Sequence, residues 1–120
     1  MSVQAVAKRF VDLCNQGKNF DVMRTLYAPD IVSVEGSGAE TAGQQAVIKK
    51  SEDWGADKSF DFQAIRGPFF NGPSQFAVHF VHKVTPKATG KQVTLEEVGV
   101  YTVNKDDKIT REQFFFEGSR

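Results

Sequence analysis

The chain has 120 residues, a length that suits a single domain with one hydrophobic core. Fifteen acidic and fifteen basic residues leave no formal net charge, and the basic residues are scattered along the chain. Nucleic-acid binding needs a basic excess or a basic stripe, so we expect no nucleic-acid partner. No apolar run approaches the length of a membrane span, so we expect no membrane association.

Two further features of composition bear on location and packing. Residues 1–4 lack the basic and apolar segments of a signal peptide, so we expect a cytoplasmic protein. Cys14 is the only cysteine, and its apolar neighbours favour a buried core thiol over a nucleophile. Eleven phenylalanines are unusual for this length. Because aromatic rings carry a large apolar area, many of them must be buried or line a cavity.

The first part of the chain reads as helix. Apolar residues recur at helical spacing over residues 3–14, which predicts a first helix. Ser2 can cap its start and Gly17 suits its end. A short second helix is predicted next, with Asn19 as its cap and Pro29 as the residue that stops it.

A strand and a third helix follow. The β-branched run 31–35 predicts a short strand, and residues 36–42 predict a loop of small side chains. Thr41 and Gln44 fit a capping box, in which the hydroxyl and the amide satisfy free backbone N–H groups. This predicts that the third helix begins there, and Gly55 is expected to end it.

From residue 58 onward the hydrophobic period changes from helical to two. Four strands are predicted at about 58–70, 75–84, 93–103 and 108–117, separated by turn residues. Consecutive strands with short loops form an antiparallel meander. Helices first and strands last predict an α+β fold, and residues 1–120 are expected to form one domain.

The turns also predict which side chains share a face of this sheet. We pair Val103 with Lys108 across the last turn and Val84 with Val93 across the preceding loop. One face then collects the aromatic residues and must be the inner one: Phe76, Val78, Phe80, His82, Leu95, Glu97, Gly99, Tyr101, Glu112, Phe114 and Phe116. A β-bulge is expected at residues 66–68, so the facing of the strand before it stays open.

Two carboxylates, Glu97 and Glu112, fall on this aromatic face, with Gly99 leaving space beside them. A buried carboxylate must be partnered or kept neutral by a raised pKa. A carboxyl of raised pKa beside an aromatic cavity is typical of general acid–base sites. The alternative is that one or both bond an Arg, a Lys or a backbone N–H, which would give them a structural role.

Other candidate residues have both a functional and a structural interpretation. His79 and His82 are three apart on a strand and point to opposite faces, so we expect no metal site. His82 faces inward, where a solvated or hydrogen-bonded imidazole is expected more often than a catalytic one. Trp54 can be a pocket wall or plain core, and Tyr101 either offers its phenol to the cavity or packs with its hydroxyl at the rim. The charged residues 49–50 and 52–53 are expected to be a solvated helix face. No phosphate loop or dinucleotide fingerprint occurs, so no cofactor is expected.

Several segments together resemble a known family. Leu26–Asp30, Thr41–Gly43 opening a helix, and the closing run Lys108–Phe115 resemble the SnoaL-like branch of the nuclear-transport-factor-two-like superfamily. Lys49–Trp54 and Glu96–Val103 look closest to bacterial SnoaL-like proteins. The resemblance implies a cone-shaped α+β barrel, a curved antiparallel sheet wrapped around about three helices, often a homodimer through the outer sheet face. The superfamily holds ketosteroid isomerases, polyketide cyclases, epoxide hydrolases, dehydratases and non-catalytic binders, so the fold does not supply the function.

The resemblance carries over only in part when it is followed residue by residue. The general base of ketosteroid isomerases falls at Glu35, which keeps a carboxylate on a longer arm. Their oxyanion donors fall at Phe10 and Gly99, and neither side chain can donate a hydrogen bond. The His and Asp of the polyketide cyclase fall near Glu112 and Phe114, so the acid is absent at the second position. Neither mechanism is implied intact.

Two hypotheses therefore stand side by side. In the first, a pocket takes an apolar or cyclic molecule with one or two oxygens, and lyase, isomerase or hydrolase chemistry uses Glu97 with Glu35 or Glu112. The pocket walls would be Trp54, Phe80, His82, Tyr101, Phe114 and Phe116. In the second, the domain binds a ligand or dimerises without chemistry, which the missing oxyanion donors favour.

Overall fold

The computed structural model describes residues 2–118. In chain order the elements are α1 Val3–Asn15, α2 Asn19–Thr25, β1 Tyr27–Val34, β2 Glu40–Ala42, α3 Gln44–Gly55, β3 Lys58–Asn71, β4 Gln75–Pro86, β5 Val93–Val103 and β6 Ile109–Phe115. The strands form one six-stranded sheet in the order β2-β1-β6-β5-β4-β3. The α+β fold of a curved sheet around helices is confirmed. The sheet is mixed, because β1 and β6 run parallel, and it does not close into a barrel.

Helix α1 forms as its sequence pattern predicts. The backbone N–H of Ala5 donates to the Ser2 hydroxyl at 3.3 Å, which satisfies one of the free donors of the first turn. At the other end the N–H of Gly17, at a φ of +75°, donates to the Cys14 carbonyl at 3.0 Å. The apolar stripe of α1 is buried against the sheet: Val3, Val6, Ala7, Phe10 and Cys14.

The predicted extent of the second helix is wrong at both ends. Lys18, not Asn19, is the N-cap, and α2 ends at Thr25. The chain then turns directly into β1, so that Pro29 lies within a strand rather than after a helix. Proline cannot donate to a sheet ladder. It is accommodated because the β1–β6 register is irregular between Tyr27 and Val32.

The capping box predicted for the third helix does not form. Thr41 lies in β2 and pairs with Ser33, within what was expected to be a loop. The N-cap of α3 is Gly43, whose φ of +99° suits glycine, and it makes no side-chain cap bond. The Gln44 amide instead donates to the Met23 carbonyl at 2.9 Å and ties α3 to α2. The predicted end of this helix at Gly55 is confirmed.

The register between β4 and β5 is the one that the turns predict. Phe80 lies opposite Glu97, and His82 lies opposite Leu95. A bulge between Arg66 and Phe69 is also present, as expected for residues 66–68. A second register shift, near the start of β3, was not foreseen from the sequence.

The register between β5 and β6 differs from the prediction by two residues. Tyr101 lies opposite Glu112 rather than Thr110. One residue of the difference comes from the turn, because Val103 pairs with Ile109, and the other from a bulge immediately after that pair. Because side chains alternate with a period of two, two single-residue shifts return every side chain to its predicted face.

Aromatic rings fill the core between α1 and the concave face of the sheet. The Phe10 ring centroid lies 4.5 Å from that of Tyr101, 5.4 Å from that of Phe76 and 6.3 Å from that of Phe80. These tilted and edge-on contacts are the favoured arrangements of aromatic pairs. Within residues 2–118, none of the helices has the length and apolar character needed to traverse a bilayer. The cytoplasmic location stays a prediction.

Phe76→Ala tests the position of this core, with Phe70→Ala as the matched control. Phe76 is fully buried, and its cross-strand partner Phe70 is 47% exposed. We expect Phe76→Ala to lower the free energy of unfolding by about 3–5 kcal/mol, because it removes a buried ring and leaves a cavity. The control should cost about 1 kcal/mol or less. Urea unfolding followed by circular dichroism measures both, and equal losses would contradict the core described above.

Candidate functional site

A cavity of about 980 Å³ lies between the concave face of the sheet and the three helices. It is open to solvent on one side, and its size is that of a small-molecule site. All the candidate site residues named from the sequence line it: Glu35, Trp54, Phe80, His82, Glu97, Tyr101, Glu112, Phe114 and Phe116. The structure therefore brings these side chains together, while the catalytic and binding roles assigned to them stay predictions.

Glu112, on β6, is the most deeply buried acid of the cavity wall. The Tyr27 hydroxyl donates a hydrogen bond to its carboxyl, and the Ser33 hydroxyl lies within hydrogen-bonding reach of it. Burial raises the pKa of Glu112, and this outweighs the lowering by the two hydroxyls and by the nearby charge of Lys50. Glu112 therefore keeps its proton to a higher pH than an exposed glutamate does.

Lys50 and Glu35 form an ion pair where the cavity wall meets solvent. The Lys50 ammonium donates to the Glu35 carboxylate and, at 2.7 Å, to the Ser33 hydroxyl oxygen. The expectation that Lys50 lies on a solvated helix face is wrong, because only 28% of its side chain is exposed. The sequence spacing indicates this inward position. Lys50 follows Val47 by three residues and precedes Trp54 by four, which puts all three on one helix face.

His82 and Glu97 form the second polar group in the cavity. The His82 Nε2 atom lies 3.7 Å from a carboxylate oxygen of Glu97, and both side chains are largely buried. The Phe80 ring stacks on the imidazole, with centroids 5.4 Å apart. His79 points to the opposite face, as predicted, and its Nε2 lies 2.6 Å from Glu96. Only the inward histidine can take part in cavity chemistry.

Gly99 makes room for the hydroxyl group of Tyr101. A Cβ atom at Gly99 would lie only 2.8 Å from the Tyr101 hydroxyl, so the phenol folds back over the glycine. Neither Phe10 nor Gly99 supplies a side-chain donor, and the Tyr101 hydroxyl is a different donor in the same part of the wall. Burial, and then the charge of Glu112, raise the pKa of Tyr101, so its phenol stays protonated at neutral pH.

Apolar side chains form most of the remaining wall. The Trp54 ring packs against Phe60, with centroids 5.7 Å apart, and Lys58 covers the indole at 4.3 Å from its centroid. Trp54 is therefore a wall residue as well as a packing residue. Phe114 contacts Tyr101 edge-on at 6.4 Å. Lining residues not named as candidates from the sequence include Phe20, Met23, Tyr27, Lys50, Phe60 and Phe62.

A pair of amides joins α1, α2 and β3 beside the cavity. The Asn19 and Gln63 side chains exchange hydrogen bonds of 2.9 and 3.1 Å, and Gln63 also donates to the Cys14 carbonyl at 2.7 Å. The Cys14 thiol is buried, and burial raises its pKa to about 12. It stays protonated and is a poor nucleophile, in keeping with the expected core role.

Comparison with known proteins identifies the family. A model of the SnoaL-like domain matches residues 1–116. The chain belongs to the SnoaL-like family. A Mesorhizobium loti protein described as a SnoaL-like polyketide cyclase shares 40% sequence identity with this chain and superposes with a TM-score of 0.88. That match covers 97% of this SnoaL-like chain and 100% of the M. loti protein. No curated protein matches the chain.

More distant structures share the fold of this SnoaL-like protein. An LEH-like epoxide hydrolase from M. tuberculosis matches with 16% identity, a TM-score of 0.71 and coverage of 96% of this chain and 82% of the hydrolase. A protein of ketosteroid isomerase-like fold from Catenulispora acidiphila, solved with trimethylamine, matches with 16% identity and a TM-score of 0.73. That match covers 92% of this chain and 84% of the other. At this identity the likeness shows the fold alone.

Glu112→Gln tests the raised pKa of Glu112 through the pH dependence of stability. A carboxyl with a raised folded-state pKa favours folding below the unfolded value of 4.5, and this contribution is lost as pH rises through the folded value. The glutamine is neutral at every pH. We therefore expect the stability of wild type relative to Glu112→Gln to fall above pH 4.5, by at most about 1.4 kcal/mol per pH unit.

Urea unfolding at a series of pH values measures this difference. Glu52→Gln, at an exposed position of α3, is the control and should show no such trend. A difference between wild type and Glu112→Gln that stays constant with pH would show that Glu112 titrates as an ordinary carboxyl.

Proposed function

We propose that this SnoaL-like protein binds a small, mainly apolar molecule with one or two oxygen atoms and catalyses a proton transfer on it, as an isomerase, lyase or hydrolase. The observation that carries the proposal is the pairing of Glu97 and His82 with the protonated Tyr101 hydroxyl along one wall of an aromatic cavity. Proton abstraction next to a carbonyl needs a base on one side and a donor for the developing oxyanion on the other.

Glu97 is the proposed general base. Its carboxylate lines the cavity, and His82 at 3.7 Å can stabilise its charge when protonated. Phe80, stacked on the imidazole, limits the water that reaches the pair. A carboxylate that lines the cavity can reach a carbon-bound proton of a ligand held there, which is what a general base requires.

The Tyr101 hydroxyl is the proposed oxyanion donor. It lies over Gly99, which is two residues, or about 7 Å along the strand, from Glu97. A ring of ordinary size fits between the two groups, so a ketone oxygen at Tyr101 would place an adjacent C–H bond near Glu97. The hydroxyl is held by the Phe10 and Phe76 rings, and such preorganisation is what makes a donor effective in the transition state.

Glu112 is the proposed general acid, and Glu35 is set aside as a base. Glu112 keeps its proton because it is buried, and it lies opposite Tyr101 on the next strand. Glu97 and Glu112 thus differ in environment, which is how one site holds both an acid and a base. The Glu35 carboxylate accepts a hydrogen bond from the Lys50 ammonium, so the base site is already occupied by a donor of the protein.

The alternative function is ligand binding without chemistry. All three carboxylates contact protein groups, since Glu35 pairs with Lys50, Glu112 accepts a hydrogen bond from Tyr27, and Glu97 lies 3.7 Å from His82. Such contacts favour a wall held in place rather than groups that exchange protons. Both functions use the same cavity, so they are separated by measuring binding and proton exchange on the same compound.

Solvent exchange on a bicyclic ketone tests the proposal directly. In deuterium oxide, the protein should speed the exchange of the protons beside the carbonyl of 2-tetralone, followed by NMR. Glu97→Gln should lower this rate by about 10²–10⁴-fold, the usual share of a general base. Tyr101→Phe should lower it by about 10²–10³-fold, the effect of losing one oxyanion donor.

Glu96→Gln is the matched control, because Glu96 is the next residue on β5 and its side chain contacts His79 on the outer face. It should leave the exchange rate unchanged. If 2-tetralone binds, as shown by its effect on protein NMR signals, but exchanges equally fast with wild type and Glu97→Gln, the binding-only alternative replaces the catalytic one.

We also propose that two copies of the chain pair through the outer sheet face. Val98 and Phe115 lie opposite each other there and are 37% and 50% exposed. Phe69, 59% exposed, continues this apolar surface through Ala77 and Val100. Large exposed apolar patches mark interaction sites, and a twofold dimer places the same patch against itself.

Phe115→Lys tests the pairing. We expect it to convert a dimer into a monomer, because two desolvated ammonium groups would face each other across the twofold axis. Phe70→Lys is the control: Phe70 is also an exposed phenylalanine, but it lies on the inner side with its partner Phe76. Sedimentation velocity measures the mass of each variant. A monomeric wild type would refute the dimer and leave the cavity proposal untouched.

A further inference from the structure

A continuous set of polar contacts runs from the buried acid to the solvent-facing side of the cavity wall. The Lys50 ammonium donates to the Ser33 hydroxyl oxygen at 2.7 Å, and Ser33 pairs directly with Glu112 between the parallel strands β1 and β6. Because that hydroxyl oxygen already accepts from an ammonium, its own hydrogen is directed elsewhere, and the Glu112 carboxyl is within reach. Ser33 itself is fully buried.

The two ends of this set differ in access to water. Glu112 is 2% exposed and faces the cavity, whereas the Lys50 and Glu35 side chains are 28% and 36% exposed. A bound ligand would fill the cavity and separate Glu112 from the water there. The contacts through Ser33 and Lys50 lead from Glu112 to bulk water without crossing the ligand.

We propose that Ser33 and Lys50 form a proton relay that returns a proton from solvent to Glu112 while the cavity is occupied. Ser33 and Lys50 are then positioning residues, because Ser33 contacts Glu112 and Lys50 contacts Ser33, while neither touches the reacting atoms. This inference extends the proposed function, since it supplies the step that reloads the general acid. It adds to that site a role for two residues that the sequence reading did not connect with Glu112.

The relay balances in protons and charge. When Glu112 gives its proton to the ligand, its carboxylate takes the hydroxyl proton of Ser33. Ser33 takes a proton from the Lys50 ammonium, and the neutral amine takes one from water or buffer at the exposed side. Each O–H or N–H bond that breaks is matched by one that forms. The serine and lysine end as they began, and the net change is one proton moved from solvent to Glu112.

Two hydroxyl groups lie beside the Glu112 carboxyl, and only that of Ser33 is connected to solvent, through Lys50. The charged and titratable groups around it are Tyr27 from β1, Glu35 directly after β1, Lys50 from α3 and Tyr101 from β5. Tyr27 donates to Glu112 as Ser33 does, but it is 4% exposed, and burial with the charge of Glu112 raises its pKa well above the ordinary value. Because Tyr27 is buried, water does not reach its hydroxyl to replace a proton that it gives up, whereas the Ser33 hydroxyl accepts from Lys50. This gives the relay a natural control.

Carbon-13 NMR of protein labelled at glutamate carboxyls tests the relay without an activity assay. The Glu112 signal is assigned by its loss in Glu112→Gln, and the protein is titrated with the cavity filled by 2-naphthol. Fast proton exchange gives one averaged signal that moves with pH, whereas slow exchange gives separate signals for the acid and the carboxylate. We expect wild type to show the averaged signal.

The variants separate a relay from a merely structural contact. Ser33→Ala and Lys50→Met should both lose the averaging and show two signals, while Ser33→Thr, which keeps a hydroxyl, should retain one. Tyr27→Phe removes a hydrogen bond to the same carboxyl. It should shift the titration midpoint upward and keep a single averaged signal. Lys50→Met leaves the buried strand pairing unchanged, so it remains informative if Ser33→Ala fails to fold.

A single averaged signal in both Ser33→Ala and Lys50→Met would overturn the relay, and so would two signals in wild type. These outcomes do not depend on catalysis. If 2-tetralone exchange is absent in wild type, the proposed function fails, while the NMR result still decides whether Ser33 and Lys50 carry protons to Glu112. If exchange is present and the averaging is insensitive to both variants, the function stands and the relay fails.

Discussion

The buried carboxyl of Glu112 is the constraint on which the rest of the site depends. An acid in a nearly water-free position must be neutral or hydrogen-bonded, and here the Tyr27 and Ser33 hydroxyls surround it. Both come from β1, and they reach Glu112 because β1 joins the sheet parallel to β6. That pairing also draws α3 against the same wall through Lys50. One polar group thus links the first strand, the last strand and the third helix.

The sequence predicts the faces of the sheet better than it predicts strand pairing. A period of two is a local property, so the inward direction of Glu97, Tyr101 and Glu112 follows from the residues themselves. The partner of β1 is not local, and nothing in residues 27–34 shows that β6, far along the chain, lies beside it. Tyr27 was therefore assigned to a helix, and its contact with Glu112 could not be predicted.

Lys50 and Tyr101 show why candidate chemistry is harder to predict than candidate position. Charged residues on a helix usually face water, and Lys50 lies inward only because Glu35 and Ser33 supply acceptors from a different element. The donor above Gly99 belongs to a residue two positions along the same strand. The sequence offers the Tyr101 phenol to the cavity or to its rim, and only the path of the ring puts it over Gly99. A comparison of residue types at matched positions of a family therefore overlooks a donor that a neighbouring position supplies.

The same cavity therefore gives its two inward-facing glutamates different surroundings, which composition alone does not suggest. Glu97 lies beside an imidazole that can stabilise its charge, while Glu112 lies among hydroxyls and rings where burial favours the neutral acid. The Tyr101 phenol lies on the wall between them and stays protonated because the Glu112 side of that wall is both apolar and acidic. The difference in surroundings comes from neighbours rather than from residue type, since both acids are glutamates. A substitution that altered the burial of Glu112 would then change the donor strength of Tyr101 as well, because the two groups share one electrostatic environment.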